Sequence, residues 1–197
     1  MIEKLQDVRK KYNPILFDLI CGVATSLLFS AFLYLEHFGI TIKILNTVFG
    51  LFALAMFLYM PKRPVLIAGF FIGLLWFYWI GYSFKYNGIN NIETVITVSF
   101  AFVYMLFFGI LALTNSVAIR AILLFGLSFF EPVDFNWLQI ELLFVDSYFG
   151  VFKYQLFLIL AALSLPNYIK KAYRLIPLLL LVLAINFNPP IQKDAPL

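Results

Sequence analysis

The chain has 197 residues, 63% of them hydrophobic and only 12% charged, against about 25% charged residues in an ordinary soluble domain. A soluble core cannot absorb that much apolar surface, so the composition excludes a soluble domain and makes lipid the solvent. The net charge of +4 comes with no basic stripe or nucleic-acid motif, and the single cysteine (Cys21) and single histidine (His37) exclude a disulfide framework and a cysteine- or histidine-cluster metal site.

Residues 1–13 are polar and carry Lys4, Arg9, Lys10 and Lys11. The first apolar run, 14–35, is too long for a secretory signal core and lacks a small-residue cleavage site, so it is predicted to be an uncleaved signal anchor. Cys21 lies inside it, with Asp18 one turn earlier. A catalytic thiol needs an electropositive setting or a neighbouring base, which a low-dielectric span does not offer, so Cys21 reads as a small apolar filler. His37, beside Glu36, reads as an exposed loop residue. A second span, 40–60, begins near Lys43 and is closed by the basic turn Pro61-Lys62-Arg63-Pro64.

The third span, 65–84, holds no charged residue from Leu66 to Phe84, long enough at 1.5 Å per residue to cross a hydrocarbon core of ~30 Å. Gly69 and Gly73 are four apart on one helical face, a pattern that lets another helix approach closely. Its far end collects Trp76, Tyr78, Trp79 and Tyr82, followed by Ser83. Such a cluster serves either as an interfacial belt or as the wall of a cavity open to lipid headgroups.

After the polar turn 87–91, a fourth span is predicted over 92–113 and a shorter fifth run over 116–130. A run that short crosses the membrane or re-enters it. Arg120 at its start is expected to snorkel to the interface, and Pro132 marks its end. The connection from Glu131 to Ser147 mixes four acids (Glu131, Asp134, Glu141, Asp146) with Phe135, Trp137, Leu138 and Phe144. It is expected to be interfacial and partly inserted, its acids solvated and matching no calcium-loop spacing. Trp137 there is open to two readings, functional lipid contact and plain interfacial anchoring. Further spans are predicted over 148–165 and 172–187, the last with Pro177 in its first turn, followed by a polar tail, 188–197.

Seven crossings gather ten of the fourteen basic residues on one side: the N-terminus, the 61–64 turn, Arg120 and the 166–174 turn. Lys43, Lys85, Lys153 and Lys193 fall on the other. The positive-inside rule therefore predicts an all-α polytopic protein of about seven transmembrane helices, N-terminus cytoplasmic and C-terminus periplasmic. The odd span count and the absence of matched broken helices disfavour an inverted-repeat transporter.

The run Tyr78-Trp79-Ile80, with Ser83 three residues on and Gly88 beyond, resembles the third span of bacterial apolipoprotein N-acyltransferases, and Phe135-Asn136-Trp137-Leu138-Gln139 is similar to that family's F-P-W-L-Q loop. The resemblance covers essentially the whole chain but only the membrane region of the family. It implies a multi-pass protein of the bacterial inner membrane, in a family that moves an acyl chain from a phospholipid to the N-terminal cysteine of a lipoprotein. It further implies that Tyr78, Trp79, Ser83, Gly88 and Trp137 line or frame a lipid cavity.

The family's Glu-Lys-Cys triad belongs to a nitrilase-like periplasmic domain inserted after the seventh span. Two local departures stand out: Phe125 and Ser128 occupy the place of a usual Glu-x-x-Arg, and Asn136 replaces the loop proline. No nitrilase-like segment is expected among these residues, so no catalytic residue and no cofactor is assigned. The chain is expected to be a split-gene subunit or a shortened product, inactive alone. Its expected partners are phospholipid, lipoprotein acyl chains and a separately encoded nitrilase-like catalytic half. The alternative is a small membrane scaffold or transporter subunit with no acyl-transfer role. A transporter, however, would place ionisable groups near mid-membrane, whereas Asp18, Arg120 and Lys153 lie near span ends.

Overall fold

The computed structural model describes residues 9, 13–86, 92–131, 136 and 138–186. Among them the chain is all-helical, with no named strand. Helix α1 (Pro14–His37) starts where Asn13 caps the N–H groups of Ile15 and Leu16 and Pro14 takes a first-turn position that needs no donor. It ends at Gly39, whose φ of +68° lets the chain turn out of the helix without a Cβ penalty. Helix α2 (Lys43–Tyr59), helix α3 (Lys62–Tyr86) and helix α4 (Glu93–Gly109, extended by a 3-10 turn Ile110–Leu113) follow. Helix α5 (Val117–Leu127) is opened by Ser116, which caps the N–H of Ile119.

Among the described residues, three helices are long and apolar enough to cross a membrane: Pro14–His37, Lys62–Ile80 and Glu93–Leu113. Their outward faces are largely apolar: leucine and isoleucine on α1, Leu66, Tyr78 and Trp79 on α3, and valine, leucine and phenylalanine on α4. The apolar helices α2 and α5 are shorter, with 17 and 11 residues. Helix α6 (Lys153–Ser164) continues into a 3-10 turn, Leu165–Asn167. The 172–187 run differs from the single span expected of it. It forms two 3-10 turns, Lys171–Tyr173 and Ile176–Leu179, and one helical turn, α7 (Leu180–Leu183). Pro177 supplies part of the reason: lacking an N–H, it cannot bond back to the Tyr173 carbonyl, so an α-helix entered at 172 does not run through it.

Helix α3 is the centre of the bundle, packed on α1 along one side and on α4 along another. Gly69 and Gly73 face α4. A Cβ on Gly73 would stand 2.6 Å from Ala101 Cα, and one on Gly69 would stand 2.8 Å from the Tyr104 carbonyl. The two backbones are therefore in direct contact. Between α1, α2 and α4, Phe57 stacks on Phe108 with centroids 4.6 Å apart, and Phe29 meets both edge-on.

Arg120 departs from expectation. Its side chain is fully buried, not snorkelling to the interface. It donates to the carbonyls of Phe57, Leu58 and Met60 at the C-terminal end of α2, and to Thr114. Those carbonyls are the negative pole of α2 and lack intrahelical donors, which makes this a stronger site for a guanidinium than a wet headgroup region.

The acidic connection is also more buried than its composition suggests. Leu138, Ile140, Leu143 and Phe144 are core residues, and the Phe144 ring fills the space where Gly50 has no side chain. Asn46 donates to the carbonyls of Val145 and Asp146 at 3.3 and 3.4 Å, fixing the segment on α2. At the other end of the bundle Arg9 grips Asp18 with both arms at 2.7 Å, a contact that raises the guanidinium pKa.

Candidate functional site

The aromatic end of α3 meets the last turn of α1, and the two leave an open cavity of about 360 Å³ between them. Leu33, Tyr34, Glu36 and His37 supply the α1 wall, Tyr78 and Trp79 the α3 wall. The floor is built from hydrogen bonds that tie the two helices together. Tyr34 donates its hydroxyl to the Leu75 carbonyl at 2.8 Å, and the Trp76 indole donates to Ser30 Oγ at 3.0 Å while stacking on Phe29. Trp76 is therefore part of the core, although it belongs to the same aromatic cluster in sequence.

Trp79 turns the other way. Its indole N–H is satisfied by the Trp76 carbonyl at 2.8 Å, leaving the ring 57% exposed, and Tyr78 beside it is 46% exposed. Ser83 is exposed one turn further on and donates to the Ile80 carbonyl at 2.7 Å. Gly88 and Trp137 lie outside the described residues, as do Phe135 and Asp134. The cavity is amphipathic: aromatic and aliphatic walls with a carboxylate and an imidazole at the rim. That combination suits a ligand with an apolar body and a polar end. Glu36 and His37 were not singled out for it in sequence. The available signal was Tyr34 one turn before His37, on the side of α1 that faces α3.

A second polar cluster ties down the neighbouring loop. Lys153 and Glu141 form an ion pair at 2.7 Å, with Glu141 almost wholly buried. The Lys153 ammonium also donates to the Ser128 carbonyl and lies 5.0 Å from the centre of the Phe129 ring. Asn136 donates to the same Ser128 carbonyl and to Glu131, and accepts from the Leu138 N–H. Of the four loop acids Glu141 is thus an internal anchor, whereas Glu131 is an exposed acceptor. Cys21 stays within α1, and the nearby Asp18 carboxylate is occupied by Arg9. Among the described residues no base is hydrogen-bonded to the thiol.

An all-helical bundle with lipid-type outer faces and an amphipathic cavity at one helix end is an integral membrane domain. The sequence says which one. A model of the apolipoprotein N-acyltransferase integral membrane domain matches residues 16–187, and the chain belongs to that family. Relatives named apolipoprotein N-acyltransferase include one from Wolinella succinogenes, 34% identical over 83% of this chain, and one from Helicobacter pylori, 34% identical over 90%. A third, from Helicobacter hepaticus, is 32% identical over 74%. The matched part of the chain spans 36–42% of the length of these relatives. No solved structure matches it.

Proposed function

We propose that this chain is the lipid-holding membrane part of an apolipoprotein N-acyltransferase of the bacterial inner membrane, acting in lipoprotein maturation by phospholipid-dependent N-acylation. The observation that carries the reading is the amphipathic cavity between α1 and α3, in a chain whose family membrane domain runs from residue 16 to 187. Tyr78 and Trp79 form its lipid-facing wall, with Ser83 one turn further on; Gly88 and Trp137 are assigned to the same role by the family resemblance alone. A phospholipid, and in turn the acyl chains of a lipoprotein, lie against these rings with their polar ends at Glu36 and His37.

The chemistry itself needs other residues. Thioester transfer requires a thiolate, a nearby base and an oxyanion-stabilising group at a site both substrates reach. Cys21 is inside a membrane helix, and Lys153, a lysine with a buried partner, is committed to Glu141. A nitrilase-like catalytic half is accordingly the functional partner of these 197 residues. Purified protein of this sequence, given phospholipid and a diacylated lipopeptide, is expected to form no triacylated product until that half is supplied. Product formed without it, and lost in Cys21→Ala, would overturn the proposal.

The seven-span arrangement with cytoplasmic N-terminus and periplasmic C-terminus belongs to the same proposal. It is supported by the ten-to-four distribution of basic residues. Reporter fusions after Asn91 and Leu197 are expected to report the periplasm, and one after Lys171 the cytoplasm. A cytoplasmic signal at Leu197 would mean an even number of crossings, with either the short 116–130 run or the broken 172–187 run not crossing.

A further inference from the structure

A second cavity, of about 320 Å³, opens at the opposite end of the bundle from the aromatic one. Its walls are Arg9, Pro61, Lys62, Arg63 and Asn115, three cations and an amide from three separate parts of the chain. Arg9 shares its charge with Asp18. Among the described residues neither Lys62 nor Arg63 has an ion-pair partner, and both are exposed.

The two turns that form the rest of the wall are pinned from beneath by Arg120, which bonds the carbonyls of Met60 and Thr114, the residues just before Pro61 and Asn115. That buried guanidinium has no carboxylate partner among the described residues, and one of its terminal nitrogens has no hydrogen-bond acceptor. It quenches the negative end of α2, while the positive end of α3 begins at Lys62 in the cavity wall. Among the described residues, the charges and helix ends left uncompensated at this cavity are positive.

The position of the cavity tells a dissolved anion from a lipid. Close in sequence to its walls are side chains that only hydrocarbon would cover: Leu113, two residues before Asn115, is 78% exposed, Leu66, three residues after Arg63, is exposed, and Ile15 and Leu16 at the start of α1 are 73% and 54% exposed. A ligand that satisfies both parts carries a negative phosphodiester and two acyl chains. We propose that this cavity binds the headgroup phosphate of an anionic phospholipid, with its acyl chains on the exposed faces of α1 and the α4–α5 turn. Such a site anchors the domain in its own bilayer and is separate from the cavity at Trp79, so it does not rest on the acyl-transfer reading.

The test is native mass spectrometry of the detergent-purified chain titrated with dioctanoyl phosphatidylglycerol, dioctanoyl phosphatidylcholine and inorganic phosphate. Phosphatidylglycerol is expected to bind in preference to phosphatidylcholine and to resist excess inorganic phosphate. The exposed double variant Lys62→Ala/Arg63→Ala is expected to weaken phosphatidylglycerol binding by about 30-fold, the order of effect of two basic residues at an anionic surface. Lys170→Ala/Lys171→Ala, which removes two exposed lysines outside the cavity, is expected to leave binding unchanged. Equal binding of the two lipids, equal loss in both double variants, or ready displacement by inorganic phosphate would each overturn the proposal. The first two would mean a diffuse charged surface, and the third a site for a free anion.

Discussion

Arg120 Nη1 lies 2.5 Å from the carbonyl oxygen of Met60, so a residue of α5 closes the C-terminal end of α2. The same guanidinium reaches Phe57, Leu58 and Thr114 and is wholly buried. Removing it leaves the buried carbonyls of Phe57, Leu58 and Met60 without this donor. Arg120→Met is expected to destabilise the domain by about 3 kcal/mol, read from thermal unfolding in detergent, because buried acceptors left unpaired cost on the order of 1–3 kcal/mol each. Arg120→Lys keeps the charge but loses the fork and should fall between. An unfolding midpoint for Arg120→Met equal to that of the parent would show that the contact has no structural weight.

Two glycines are expected to respond with opposite signs. Gly73→Ala sets a methyl 2.6 Å from Ala101 Cα, a backbone atom that cannot rotate away, and should cost about 2 kcal/mol by forcing α3 and α4 apart. Gly126→Ala meets nothing within 4 Å, and α5 gains helix propensity of up to about 1 kcal/mol. The same unfolding measurement on both variants checks this, and equal shifts would contradict the packing of α3 on α4.

The all-helical, membrane-embedded class was legible in the sequence because it depends on composition and run length, which the chain states directly. So was the family, through the aromatic run at Tyr78 and the loop around Asn136. The four-residue spacing of Gly69 and Gly73 marks a face for close packing, but only the fold says that α4 occupies it. Arg120 was misread for a physical reason. Snorkelling and helix-end capping both suit an arginine near a span end, and the choice depends on which carbonyls lie across from it, here 60 or more residues away in sequence. Glu141 looked solvated for a similar reason, since its partner Lys153 comes from the start of the next helix. Pro177 bars a helix entered at 172 from running through it, although its place in the sequence suits a first turn equally well. Gly88 and Trp137 lie outside the described residues, so their place rests on the resemblance.

The Lys153–Glu141 pair gives a further expectation. Lys153→Met leaves Glu141 almost buried without its cation and should cost about 2 kcal/mol, below the ~3–5 kcal/mol of a fully buried pair because the lysine is 30% exposed. Adding Glu141→Leu is expected to recover most of that loss, since a matched apolar pair does not strand a charge. A double variant as unstable as the sum of the two single changes would mean that the residues act independently.

The central claim is that the cavity between α1 and α3 holds phospholipid and then the lipoprotein acyl chains. The most direct measurement places a photoreactive benzophenone side chain at Trp79, and at Phe102 as an exposed position on α4, then irradiates the protein in phospholipid bilayers with and without a diacylated lipopeptide. Both positions should give phospholipid adducts. The adduct at Trp79 is expected to fall as lipopeptide is added, while that at Phe102 stays constant. Identical behaviour at the two positions would mean that Trp79 only faces bulk lipid, and would contradict the account.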